Sequence, residues 1–235
     1  MTELELYNVD KIYLWEYFTS LIYVFFVYII LYYFFSKSSY SKYLSRGLLF
    51  KMIGGVSFAF IYLFYYKGGD TFAYFYSSNC LIKLLYSRPD QFLELILNPS
   101  QHTYTFFTSS TGFAPSYIFF DSHTFSTVVL TLPFVLLGCK SYLLTTMIVS
   151  TFTFIGSWKL FKFFVFYFPH LKKYIAFSVL YLPSLLFWGS GILKDSFVFT
   201  FLALFIYYFN LLFFLKCISF WSIFILLFSL ISIIT

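Results

Sequence analysis

The chain has 235 residues, of which 61% are hydrophobic, 28% are aromatic and only 10% are charged, and its mean hydropathy is +0.85. Because a soluble globular domain carries about 25% charged residues, this composition excludes that class and predicts an integral membrane protein. The net charge of +6 does not indicate nucleic acid as a partner, since the basic residues stand in short segments between apolar runs, where topology and anionic lipid headgroups account for them.

The cysteines and the amino terminus exclude further classes. Cys80, Cys139 and Cys217 stand far apart, without the spacing of zinc ligands or of a disulfide framework. The sequence therefore predicts no metal site, no required disulfide and no cofactor. The first 16 residues carry four acidic residues and one basic residue, the opposite of a cleaved signal peptide, so the first apolar run is expected to stay as a helix.

Two apolar runs open the chain. Residues 17–35 contain no charge and are long enough to cross about 30 Å of hydrocarbon. Residues 47–66 return across the membrane, and Lys51 is expected to snorkel from the cytoplasmic end of this helix. The segment between the two runs is basic, which predicts a cytoplasmic position and an outer amino terminus; its charged residues are Lys37, Lys42 and Arg46.

Residues 67–124 form the only extended stretch that is not mostly membrane-like, and this topology predicts that they lie on the outer face. Within them, residues 87–99 are typical of a short helix lying on the membrane surface. Ser87 and Asp90 resemble a capping box, and Pro89 suits the first turn.

Residues 126–158 leave two alternatives open, because about 33 residues are too many for one simple span and few for two. The sequence Gly138-Cys139-Lys140-Ser141 is either a hairpin turn or a break in a bent segment. We favour one crossing plus a re-entrant or interfacial half-helix, since this places the next basic cluster, around Lys159 to Lys173, in the cytoplasm. Two crossings would separate Asp70 from Lys194.

The remaining runs cross outward over 174–188, inward over 196–215 and outward again over 217–234. The predicted fold class is therefore all-α: one transmembrane domain over residues 1–235, a polytopic helical bundle of about five to seven transmembrane helices, with interfacial helices in the outer-face loop. The sequence ends at Thr235 directly after an apolar run. Both a complete small protein and an amino-terminal fragment of a longer polytopic protein are expected alternatives.

A first candidate site lies at the end of the second run. Asp70 follows Gly68 and Gly69, which let the backbone turn sharply and approach a ligand closely. A carboxylate at the membrane surface can act as a general base or as a metal ligand. The structural alternative is that Asp70 caps the following helix.

A second candidate site follows the helix break at residues 189–191. There, Lys194 can hold a phosphate as a point charge, and Ser190, Asp195 and the glycine amides can supply further contacts. The alternative is a boundary between spans, with Lys194 snorkelling and Asp195 capping the next helix. Arg88 on the outer face is a further candidate for binding a phosphate, or else a solvated flank of the short helix.

Two histidines and a carboxylate are candidates for a metal or acid–base site. Asp121 and His123 are two residues apart, which puts them on different sides of a helix, and His102 lies in a separate loop. These residues therefore do not change the prediction that no metal is bound.

The sequences GGDTFAY (68–74) and LPSLLFWGSGILKDS (182–196) together resemble membrane glycosyltransferases and polysaccharide polymerases of the GT-C type from bacterial surface-polysaccharide clusters. The resemblance implies an inner-membrane location and a polyprenyl-phosphate-linked saccharide as partner. It also implies that Asp70, as the outer-loop aspartate, acts in catalysis and that Lys194 binds the lipid-linked phosphate. The family usually has eight or more spans, more than this chain offers. The competing hypothesis is a non-catalytic membrane component, such as a transporter subunit or an assembly partner.

Overall fold

The computed structural model describes residues 14–35, 40–98, 104–119 and 121–234, and these residues are helical with no strand among them. The α-helices are α1 (Leu14–Phe35), α2 (Ser41–Phe60), α3 (Asp70–Ser87), α4 (Pro89–Leu97), α5 (Ser122–Leu137), α6 (Tyr142–Tyr167), α7 (Lys172–Ala176), α8 (Pro183–Trp188), α9 (Lys194–Phe209) and α10 (Phe220–Ile234). Wider π-helical turns extend α2 over Ile61–Tyr66, α7 over Phe177–Tyr181 and α9 over Asn210–Phe214.

Three helices of the described residues are long and apolar enough to cross a membrane, namely Ser41–Tyr66, Tyr142–Tyr167 and Lys194–Phe214. Shorter apolar helices cover Leu14–Ile30, Ser122–Leu137 and Phe220–Ile234. The all-helical class is therefore confirmed and a membrane protein is supported, whereas the larger count of five to seven spans stays a prediction.

Side-chain contacts fix the relative direction of the long helices. Tyr43 contacts Phe161, and a Cβ atom on Gly55 would meet Ser150, so α2 and α6 run in opposite directions. In contrast, α9 runs parallel to α6, because Gly156 contacts Thr200 and the Tyr167 hydroxyl donates to the Asn210 amide oxygen. We name the two ends of this bundle after residues that lie there: α6 and α9 begin at the Asp70 end and finish at the Lys162 end.

Helix α5 has both of its ends at the Asp70 end. It begins beside Lys194, whose charge acts on the Asp121 carboxylate. It finishes at a tight turn in which Cys139 and Lys140 have φ of 49° and 62°. The turn leads into Tyr142, whose hydroxyl lies 3.1 Å from the Thr71 hydroxyl. This course agrees with the single-crossing alternative for residues 126–158, and α6 is the candidate span among them.

Two apolar clusters hold the bundle together. The larger one joins α3, α4 and α5 to α6 and α9, with Phe72 stacked on Tyr142 at 4.4 Å between ring centroids. The smaller one lies towards the Lys162 end, where α2, α6 and α7 meet around Phe161. The segments predicted as an outer-face loop are thus packed on the bundle at its Asp70 end.

Two local predictions are wrong. Lys51 does not snorkel: its side chain is 2% exposed, and its Nζ donates to the Leu185 carbonyl at 3.1 Å. Ser87 does not form a capping box, because it is the last residue of α3 and its hydroxyl donates to the Lys83 carbonyl at 2.9 Å. The short helix itself is present as α4, which begins at Pro89 as predicted.

Two native cysteines test the direction of the bundle. Cys139 is exposed in the turn at the Asp70 end, and Cys217 is exposed in the loop that follows α9. In variants that keep one of them, we expect a membrane-impermeant maleimide to label Cys139 from outside and Cys217 only after permeabilisation. A variant that keeps only the buried Cys80 serves as the control that should label only after unfolding. Labelling of Cys139 and Cys217 from the same side would contradict the described arrangement.

The close packing of α2 gives a second test. A Cβ atom on Gly54 would lie 2.2 Å from the backbone carbonyl oxygen of Leu186, which cannot move without shifting α8. We expect Gly54→Ala to lower the free energy of unfolding by about 1–3 kcal/mol, measured as thermal unfolding in detergent. Ser57→Ala on the exposed face of the same helix is the matched control and should change it by less than about 0.5 kcal/mol. Equal stability of the two variants would contradict the packing.

Candidate functional site

Asp70 is positioned by a strained turn at the end of α2. After the π-helical turn, Lys67 adopts φ of 52° and Gly69 adopts φ of 107° with ψ of 178°. The Gly69 conformation strongly favours glycine, because a Cβ atom would make it costly. Gly69 is the N-cap of α3 and Asp70 is its first residue, so Asp70 does not cap the helix as the structural alternative proposed. Its exposed carboxylate instead lies in the first turn, where the helix dipole stabilises negative charge.

Lys194 is positioned by the break between α8 and α9. Helix α8 ends at Trp188, and hydroxyl groups satisfy the freed backbone carbonyls: Ser196 donates to the Trp188 carbonyl and Ser150 to the Ser190 carbonyl, both at 2.8 Å. Helix α9 then begins with Lys194, which is half-buried. Polar groups inside an apolar bundle need such partners. The break is therefore stabilised by specific hydrogen bonds from neighbouring helices.

Lys51 fixes the same break from the side of α2. Its Nζ donates a hydrogen bond to the Leu185 carbonyl in the last turn of α8. Gly189 makes room for the lysine, since a Cβ atom there would lie 2.8 Å from Nζ. The Lys51 side chain therefore packs directly against Gly189, and a larger residue at position 189 would displace it.

The phenol of Tyr74 marks the place where distant segments meet. Its hydroxyl bonds to Thr124, the first turn of α5. Burial and, to a smaller extent, the charges of Asp70, Asp121 and Asp195 raise the pKa of Tyr74 to about 12, while the hydrogen bond with Thr124 acts in the opposite direction. Three carboxylates from three separate segments of the chain thus lie close enough to one phenol to act on its pKa. We call these three carboxylates, together with Lys194, whose charge acts on Asp121, the carboxylate cluster.

Asp121 has a defined local role within this cluster. It is the N-cap of α5, and its carboxylate accepts hydrogen bonds from the Thr124 hydroxyl and from the backbone N–H groups of His123 and Thr124. The Thr124 hydroxyl, these N–H groups and the charge of Lys194 lower the pKa of Asp121. Lys194 therefore faces at least one carboxylate and is not an isolated cation.

The structure does not bring every predicted residue to this cluster. Arg88 lies at the far end of α3, 18 residues from Asp70, a distance of about 27 Å along a helix. Its guanidinium donates to the Phe106 carbonyl at 2.7 Å. Ser190 is fully buried and its hydroxyl donates to the Leu186 carbonyl, so it stabilises the break from inside.

No group of three His, Cys, Asp or Glu side chains in the described part of the chain is arranged to hold a metal ion. His102 lies outside the described residues, and Asp121 is occupied as a helix cap. Sequence reasoning missed Tyr74 and Thr124. The one sequence signal for the role of Asp121 is its position directly before the long apolar run of α5, where an aspartate is typical of a helix N-cap.

Comparisons with protein-family models, with curated proteins and with solved structures find no match for this chain.

The capping role of Asp121 predicts a pH dependence. We expect Asp121→Ala to lower the free energy of unfolding by about 1 kcal/mol, because two amides at the start of α5 lose their acceptor, and Asp121→Asn to cost less, because asparagine also caps. Folding lowers the pKa of this carboxyl, so its stabilisation is present above its unfolded pKa of about 3.9 and is lost as the pH falls through the folded value.

The measurement is unfolding in detergent between pH 7 and pH 3. The wild type should lose more stability on acidification than Asp121→Asn, which has no carboxyl to protonate at this position. Parallel acid profiles of the two proteins would contradict the assigned cap.

Proposed function

We propose that this chain is a membrane glycosyltransferase, or a polysaccharide-polymerase-like protein, of the bacterial inner membrane that uses a polyprenyl-phosphate-linked saccharide. One observation carries the proposal: segments around residues 70, 121 and 194 bring carboxylates and an ammonium group together at one end of the candidate spans. A lipid-linked donor presents its phosphate at the membrane surface, where spanning helices end, with the lipid chain in the bilayer and the sugar outside.

Each member of the carboxylate cluster has a chemical role in such a transfer. Asp70 is exposed, and it accepts the proton from the acceptor hydroxyl as the hydroxyl oxygen bonds to the anomeric carbon. The bond from that carbon to the phosphate oxygen breaks, and its electrons leave with the lipid phosphate. Lys194 stabilises the charge that develops there. Asp195 is exposed and accepts hydrogen bonds from sugar hydroxyls.

The charge balance of the site constrains this assignment. The carboxylates of Asp70, Asp121 and Asp195 are opposed by Lys194 and by Lys67, three residues before Asp70, which gives 3 negative and 2 positive charges and a net charge of −1. Such a site does not attract a phosphate from a distance. Binding of the donor therefore depends on direct contact between the phosphate and Lys194, while carboxylates suit the hydroxyl-rich saccharide.

A non-catalytic membrane component is the second candidate, and one observation favours it. Asp70 and Asp195 lie in the first turns of α3 and α9, and Asp121 caps α5. Each carboxylate thus stabilises a helix start irrespective of any substrate.

Asp70→Asn separates the two candidates. Loss of a general base lowers a transfer rate by about 10²–10⁴-fold, so we expect sugar incorporation by membrane vesicles that carry this variant to fall to background at unchanged protein level. Asp90→Asn is the matched control, because Asp90 also lies in the first turn of a helix, α4, and the variant loses a similar dipole interaction. Equal activity of the two variants would reject Asp70 as the base.

Lys194 is tested in the same vesicles. Lys194→Gln should raise the KM for the lipid-linked donor, while Lys194→Arg keeps a cation and should retain most of the activity. Lys83→Gln, an exposed lysine of α3, controls for loss of charge. A KM that is unchanged in Lys194→Gln would remove Lys194 from the donor site.

A further inference from the structure

A second candidate site lies at the other end of the bundle, between α6 and α9. A cavity of about 440 Å³ opens there and is lined by Lys162, Tyr207 and Asn210 among aromatic and aliphatic side chains. A neighbouring cavity of about 550 Å³ shares Phe163 and Asn210 with it, and the rest of its lining is aromatic or aliphatic apart from the Tyr167 hydroxyl. Apart from these two shared residues, the cavities are lined by different faces of α6 and α9. We call the first cavity, which Lys162 lines, the groove.

Lys162 gives the groove its charge, and Lys159 lies nearby on the same helix without lining it. The Lys162 ammonium lies 5.7 Å from the ring of Trp158, and the Lys159 ammonium lies 4.6 Å from the ring of Tyr207. Aromatic faces hold an ammonium group without neutralising it. The sequence provides no carboxylate nearby in the chain, because residues 122–194 and 196–235 contain neither aspartate nor glutamate. The Lys162 charge is therefore available to an anionic ligand in the groove.

Asn210 adds an amide group to the lining of the groove. It is 7% exposed, and its amide oxygen accepts a hydrogen bond from the Tyr167 hydroxyl. This bond leaves the amide NH₂ group as a hydrogen-bond donor for a ligand. A ligand that fits the groove thus combines an anion, a polar linkage that accepts a hydrogen bond, and a long apolar chain.

We propose that this groove binds an anionic phospholipid, with its phosphate at Lys162, its ester region at Asn210 and an acyl chain along Phe166, Leu211 and Leu215. Charge complementarity selects the anionic headgroup, and the apolar side chains of the lining select a chain that a soluble phosphate does not have. The groove lies within two candidate spans, on the end where basic residues cluster. Cytoplasmic leaflets carry the anionic lipids that such residues attract.

The test uses the purified protein in detergent and native mass spectrometry with dioleoylphosphatidylglycerol or dioleoylphosphatidylcholine as the probe. We expect the wild type to retain the anionic lipid about fivefold more than the zwitterionic one, the factor that corresponds to about 1 kcal/mol per lysine. Lys162→Gln should lose that preference and Lys162→Arg should keep it. Lys173→Gln is the matched control, since Lys173 is an exposed lysine of the same end that does not line the groove.

A second arm separates the lipid from its headgroup. Glycerol phosphate at millimolar concentration should not displace phosphatidylglycerol, because it has no acyl chain to cover the apolar side chains of the groove. Displacement would overturn the lipid proposal in favour of a soluble phosphate ligand. Equal retention of the two lipids by the wild type, or equal losses in Lys162→Gln and Lys173→Gln, would also overturn it, and neither result bears on the carboxylate cluster.

Discussion

The backbone contact between α2 and the break after α8 is the constraint on which the rest of the structure depends. Gly54 places α2 against the Leu186 carbonyl with no space for a side chain, and Lys51 donates to the next carbonyl along, that of Leu185. Irregular backbone in an apolar bundle is stable only where its polar groups find partners. Because α2 supplies one and α6 supplies another through Ser150, the break is rigid and Lys194 starts α9 at a fixed place.

The sequence predicted the positions of the irregular backbone better than the contacts that stabilise them. Glycines and a charge inside apolar runs indicated the turn before Asp70 and the break before Lys194. Lys51 was misread because its helix was expected to begin at residue 47. The helix begins at Ser41, so Lys51 lies ten residues, about 15 Å, from its start. At that depth the side chain reaches a backbone carbonyl more easily than water.

The sequence predicted only part of the carboxylate cluster. Counting crossings predicted that Asp70 and Lys194 share an end, but it carried no information on the pairing of α3 with α5. That pairing is parallel, with Tyr74 bonded to Thr124 and the Ser78 hydroxyl to the Val128 carbonyl at 2.8 Å. Both helices are apolar on several faces, so periodicity does not define a register. Only the packed structure shows that Asp121 joins the cluster.

The two proposed sites differ in how they recognise charge. Around the carboxylate cluster, three carboxylates oppose the ammonium groups of Lys194 and Lys67, so a phosphate gains affinity only through contact with Lys194 at short range. At the Lys162 end, the chain provides several lysines and no carboxylate in α6 or α7, so attraction acts over a Debye length of about 8 Å. Raising the salt concentration should therefore weaken lipid retention at the Lys162 groove much more than donor binding at the carboxylate cluster. A proteoliposome assay that measures lipid retention and donor binding against ionic strength distinguishes binding by direct contact from long-range electrostatic attraction within one protein.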